Sequence, residues 1–176
     1  SEKNIIAKYY AEKYMKQYKN SKILRINSKD MESALKIFNL VRNQCAHDER
    51  LYNSDYKNIR VSNIANYLEI TNYNNRRIVV AILYLKILLN KDYYKKFHSE
   101  LNAIFKQYKN GFKTVSFEDI LNIMGIDLLE LDKLKKLIKT EDRLSCLCGS
   151  LFLNVSALSK GGFSIHTNPV IMIARC

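Results

Sequence analysis

Helix breakers are almost missing from this chain. One proline, Pro169, and five glycines occur among 176 residues, so little of it is punctuated for turns and long helices are favoured. No apolar run approaches the ~20 residues that span a bilayer, and the N-terminus lacks the compact apolar segment and small-residue cleavage site of a secretory signal. The four cysteines, Cys45, Cys146, Cys148 and Cys176, are too few and too scattered for a disulfide framework. Cys146-x-Cys148 has no second Cys or His pair at a zinc-ligand spacing. No acidic cluster of the two-metal type is present either. The expectations are a reduced, cytoplasmic location, no membrane, no metal and no cofactor. Internal repeats and low-complexity segments are absent as well.

What the chain does have is apolar residues, at 47%, and an excess of positive charge. The length suits a single core. Lysine and arginine number 29 against 17 acids, a net of +12. Such an excess makes a polyanion a natural partner through phosphate contacts and counterion release. A lysine-rich, asparagine-rich composition also arises from an AT-rich genome, so charge alone leaves nucleic acid at even odds.

Periodicity divides the chain into helices. Residues 4–18 read as a basic helix with Ile5, Tyr9, Tyr10 and Tyr14 towards one face. Residues 21–27 read as a connector. Ser28 is the expected N-cap of the next helix, with Asp30 in its first turn. Met31, Ala34, Phe38, Val41 and Cys45 then form one buried stripe, opposite Lys36, Asn39, Asn43 and His47. A short helix is expected over 61–68 and a central core helix over 76–90. An amphipathic helix follows over 93–108, bearing Phe97, Leu101, Ile104 and Phe105 and ended by Asn110-Gly111 as a left-handed C-cap. Ser116 caps a helix that Gly125 stops, and residues 128–138 give another. His98 reads as exposed beside Lys95 and Lys96, and neither it nor His166 is assigned a role. Residues 144–176 differ in character, with β-branched residues, Gly161-Gly162 and Pro169. A short hairpin, a partner-binding tail or a segment foreign to the domain all fit them. The expected organisation is an all-α helical bundle over 1–139 with an irregular or partly β tail over 140–176.

One segment carries chemistry: Val41-Arg42-Asn43-Gln44-Cys45-Ala46-His47-Asp48-Glu49-Arg50-Leu51-Tyr52-Asn53. Arginine offers a planar fork of donors suited to a phosphate and to the charge that builds on it during cleavage. Histidine titrates near neutrality, so it can take a proton from an RNA 2′-hydroxyl or return one to the leaving 5′-oxygen. Asn43 and His47, four apart, share a helix face. Arg42 and His47, five apart, stand about 140° apart on a regular helix. On one unbroken helix they would not converge on a phosphate. Either the helix deforms near residues 46–48 or a second copy of the chain completes the site. The competing reading is that Asn43 and His47 only finish a helix end while Arg42 pairs with an acid.

Arg-Asn-x-Cys-Ala-His followed by Arg-Leu-Tyr-Asn resembles the signature of Abi-like (abortive-infection) proteins of the HEPN superfamily, whose mark is Arg-x4-6-His. The preceding Leu40-Val41 and the later Phe117-x-x-Ile120-Leu121-x-x-Met124-Gly125 resemble the C-terminal half of that family, and the similarity covers roughly residues 1–130. The resemblance implies a HEPN-like bundle acting as a dimeric, metal-independent endoribonuclease, with Arg42 and His47 catalytic and Asn43 ordering the site. It also implies an RNA substrate, a homodimer with a composite site, and an antitoxin or regulatory RNA as a further partner. One departure is Asp48, where relatives often carry His or Asn. Arg50 and Tyr52 are candidates for phosphate or base contacts, and equally for holding the helix–loop junction. The alternative function is a HEPN module that grips RNA or a protein without cutting. A DNA-binding regulator ranks lower, since no convincing helix-turn-helix is present.

Overall fold

The computed structural model describes residues 2–19, 22–112 and 114–136. Every regular element within them is a helix: α1 (Glu2–Tyr18), α2 (Ser28–Ala46), α3 (Ser62–Tyr67), α4 (Val79–Leu88), α5 (Lys91–Tyr108), α6 (Phe117–Ile123) and α7 (Leu128–Lys136). The all-α expectation holds for this region. The tail over 140–176, with Cys146, Cys148, His166 and Cys176, lies outside the described residues.

The bundle is organised around α4, where eight of the ten residues are buried. A helix that is apolar all round must be enclosed rather than laid on a surface, and α1, α2 and α3 all pack on it. Ile82, Leu83 and Ile87 are fully buried there, each stabilising the fold by about 1.5–3 kcal/mol. The helix is shorter than residues 76–90: Arg76 pairs with Asp55 and Arg77 donates to the carbonyls of Asn53 and Ser54. Those ties hold the entry turn in a non-helical path.

Two faces differ from the periodicity reading. In α1 the buried residues are Ala7, Ala11 and Tyr14, whereas Ile5 and Tyr9 are 72% and 59% exposed. Small alanines let α1 approach its neighbours closely, which turns its larger apolar residues outward. In α2 the stripe includes Met31, Ala34 and Val41 as expected, with Ile37 fully buried among them, while Phe38 and Cys45 are half-buried. Asn27, not Ser28, caps this helix. Its side chain accepts from the Asp30 amide at 3.0 Å, and Asp30 Oδ2 accepts from the Asn27 amide at 3.1 Å. That reciprocal capping box satisfies two orphan donors at once.

Beyond α4, helix α5 buries Tyr94, Phe97, Leu101 and Phe105. Phe105 meets Phe117 of α6 edge-on at 5.8 Å between centroids. His98, expected at the surface, is 3% exposed. Its Nε2 donates to the Leu131 carbonyl at 3.3 Å and Asn102 Nδ2 donates to its Nδ1 at 3.0 Å. The ring thus ties α5 to α7, a role its flanking lysines concealed.

Three helices end in the same way. After α2, α3 and α6, residues Asp48, Glu69 and Gly125 take positive φ of 52°, 58° and 72°. The next amide then closes on the third-last helical carbonyl: Glu49 to Gln44 at 2.9 Å, Ile70 to Ala65 at 2.9 Å and Ile126 to Leu121 at 2.8 Å. This is the Schellman arrangement. Only one of the three left-handed positions has a glycine. Gly111, by contrast, is not among the positive-φ glycines, so the expected left-handed cap of α5 is replaced by an ordinary turn.

Candidate nuclease site at the end of α2

The motif occupies the last turn of α2 and the loop behind it. The helix stops at Ala46, and His47 leaves helical geometry with φ −106° and ψ 14° while its amide still bonds to the Asn43 carbonyl at 3.0 Å. Asp48 then turns the chain through its left-handed backbone. Asp and Asn tolerate that region better than most side chains, a backbone reason for an Asx residue here. The helix therefore does end within residues 46–48.

Arg42, Asn43, His47, Arg50 and Tyr52 are all exposed. None is buried against the core. The structure brings them to one end of α2, with Arg42 and Asn43 within the helix and His47 already outside it, so the 140° of an unbroken helix does not describe how Arg42 and His47 stand to each other. Leu35 and Leu40, both on α2, are 55% and 37% exposed. Each stands seven residues before a motif residue, Leu35 before Arg42 and Leu40 before His47. Seven residues fall only about 20° short of two full turns. On the outer surface of α2, Leu35 thus stands two turns before Arg42, whereas His47 lies beyond the helix that carries Leu40.

The loop carrying Arg50 and Tyr52 is held from beneath. Leu51 is anchored in the core. Gln44 Nε2 donates to Ser54 Oγ at 2.8 Å, and Tyr56 OH donates to Gln44 Oε1 at 2.6 Å. Ser54 Oγ in turn donates to the Arg50 carbonyl at 2.6 Å, and Arg77 Nη1 holds the Asn53 carbonyl at 2.6 Å. Gln44 is the residue that sequence reasoning missed. It sits inside the motif, yet its partners lie ten and twelve positions on, where no helical periodicity points. Arg50 enters this brace only through its backbone carbonyl, and the side chains of Arg50 and Tyr52 are exposed.

Electrostatically the site is balanced. Arg42 and Arg50 are offset by Asp48 and Glu49, so the chain's excess charge resides elsewhere. A groove of ≈ 580 Å³ is lined by Lys22, Arg25, Asn27, Asn63 and Asn66 among others, beside the opposite end of α2. Lys22 is engaged there with the Tyr67 carbonyl and Glu69. Among the described residues no three His, Cys, Asp or Glu side chains are grouped so as to hold a metal ion, and no helix is long and apolar enough to cross a membrane.

No family model matches the chain, and no curated protein or solved structure is detectably similar to it.

Proposed function

We propose that the chain is a HEPN-type endoribonuclease that cuts RNA without a metal ion, acting as a homodimer. The observation that supports it is the joint exposure of Arg42 and His47 at a capped, braced helix end, in a sequence context resembling the HEPN motif. His47 accepts the proton of an RNA 2′-hydroxyl. The 2′-oxygen then attacks phosphorus, the bond to the 5′-oxygen breaks, and a protonated imidazole returns the proton to that leaving oxygen. Arg42 stabilises the charge gathering on the phosphoryl oxygens. Asn43 orders the site, and Arg50 and Tyr52 offer a phosphate contact and a stacking face from the loop.

The homodimer is what the resemblance implies, and in it a second copy would complete the site. The exposed Leu35 and Leu40 supply apolar surface for such a contact on the same helix. With two-fold symmetry, the histidine of one copy faces the arginine of the other. A cytoplasmic setting and a restraining antitoxin or RNA belong to the same proposal.

The test is cleavage of single-stranded RNA by the purified chain in EDTA. His47→Ala should abolish cutting while leaving RNA affinity nearly intact, and Arg42→Ala should lower the rate by a factor of 100 or more. Cleavage that survives in His47→Ala, or that requires Mg²⁺, would overturn the assignment. Tight RNA binding with no cleavage by the parent chain would leave the non-catalytic module as the answer.

A further inference from the structure

The core contains one group that does not belong in it. Lys86 lies in α4, the most apolar helix, and is 0% exposed. Its ammonium nitrogen sits 4.2 Å from the centroid of the Tyr18 ring and 4.5 Å from that of Tyr94. Among the described residues Lys86 Nζ has no hydrogen-bond partner, and neither have three polar atoms brought by the neighbouring helices, Gln17 Oε1, Tyr18 OH and Tyr94 OH. An unsatisfied amine against two rings whose hydroxyls are also unsatisfied, drawn from α1, α4 and α5, is unusual, because buried polar groups are nearly always paired. Two ring faces attract a cation but leave its three N–H donors unused.

The element on one side of Lys86 is the last turn of α1, whose residues 15–18 are at most half-buried and where Gln17 Nε2 donates to Asn90 Oδ1 at 3.4 Å. Helix α1 buries only Ala7, Ala11 and Tyr14. Lifting its last turn would remove Tyr18 and Gln17 and admit water to the lysine. We propose that Lys86 is a proton-operated latch for α1: uncharged, it stays buried and the helix is docked, whereas protonation drives the end of α1 away so that the ammonium is hydrated.

Burial pushes the Lys86 amine down to about 7, helped by the nearby Lys91 cation, which places the event within the ordinary range of solution pH. His98 of α5 lies on the far side of Tyr94, ring centroids 6.1 Å apart, and is tied to Leu131 of α7 rather than to α1. Burial raises the phenols of Tyr14 and Tyr18 on α1 and Tyr94 on α5, so they stay neutral throughout. Asp92 of α5 acts on Tyr18. On the α2 side Phe38 meets Tyr84, with Asp30 and Arg60 beyond it, and α3 contributes Tyr67 against Tyr14.

The sign follows from linkage. With α1 lifted the lysine returns towards its ordinary value of 10.5, so the open form binds more protons between about pH 7 and that value. Docking therefore strengthens as pH rises through the window, by up to about tenfold per pH unit for one proton, and levels off below about 7.

Hydrogen exchange of the whole chain, corrected for intrinsic rates, tests the latch between pH 6 and 9. Amides of α1 should open up to about tenfold more for each unit of acidification from 9 to 7, while those of α5 and α6 keep their protection. Lys86→Met should hold α1 closed at every pH. Lys86→Arg, which stays charged, should leave it open and equally flat. Flat α1 protection in the parent chain, a slope retained in either variant, or α1 and α5 opening in parallel would each overturn the proposal. The parent's own profile decides the matter if a variant does not fold.

Discussion

Gln44 offers the sharpest test of how the α2 terminus is built. Its amide bridges Ser54 and Tyr56, and Tyr56 is 2% exposed. Gln44→Ala removes two hydrogen bonds, each worth about 1 kcal/mol net. The expected loss is about 2 kcal/mol. For a chain of this length that lowers Tm by roughly 4–8 °C. Tyr56→Phe alone should cost about 1 kcal/mol through the bond to Gln44 Oε1. Both single variants lose that same bond, so the two changes together should cost less than their sum. Urea denaturation of the four proteins gives the coupling energy directly, expected at about 1 kcal/mol. Additive losses would refute the bridge, since two side chains that do not interact cannot couple. If the brace also sets Arg50 and Tyr52, RNA cleavage by Gln44→Ala should fall further than the fraction unfolded explains.

Helix ends supply two more tests. Glu69→Gly should stabilise the chain by about 1 kcal/mol, because it relieves a side chain held at positive φ, with the midpoint of urea unfolding as the readout. The exposed Lys22 partner lost in that change contributes less. Asn27→Ala breaks the capping box of α2 and should cost about 1 kcal/mol in the same assay. In the core, Ile37→Ala at a fully buried position should cost 2–5 kcal/mol, with the spread set by how far α2 and α4 collapse into the gap; thermal unfolding would show it.

Composition and periodicity determined the class of this protein. Scarce glycine and proline, the Ser116 cap before α6, and the unbroken apolar run of α4 each act within a turn or two of the backbone. The order and approximate limits of the seven helices were therefore legible locally. The candidate residues Arg42, Asn43, His47, Arg50 and Tyr52 are close in sequence and sit where an amphipathic pattern stops, so their shared place at the end of α2 was legible locally.

Tertiary structure decided everything that depends on a distant partner. Whether the alanines or the tyrosines of α1 face inward is set by how closely α4 approaches, which periodicity does not contain. Flanking lysines made His98 look exposed, and only the position of α7 made it a buried acceptor and donor. The same holds for Gln44, whose bonds reach into the next loop, and for Lys86, whose burial follows from two tyrosines lying on other helices. Local sequence encodes backbone hydrogen bonding and the direction of each side chain. The environment at the end of that side chain is a property of the packed chain alone.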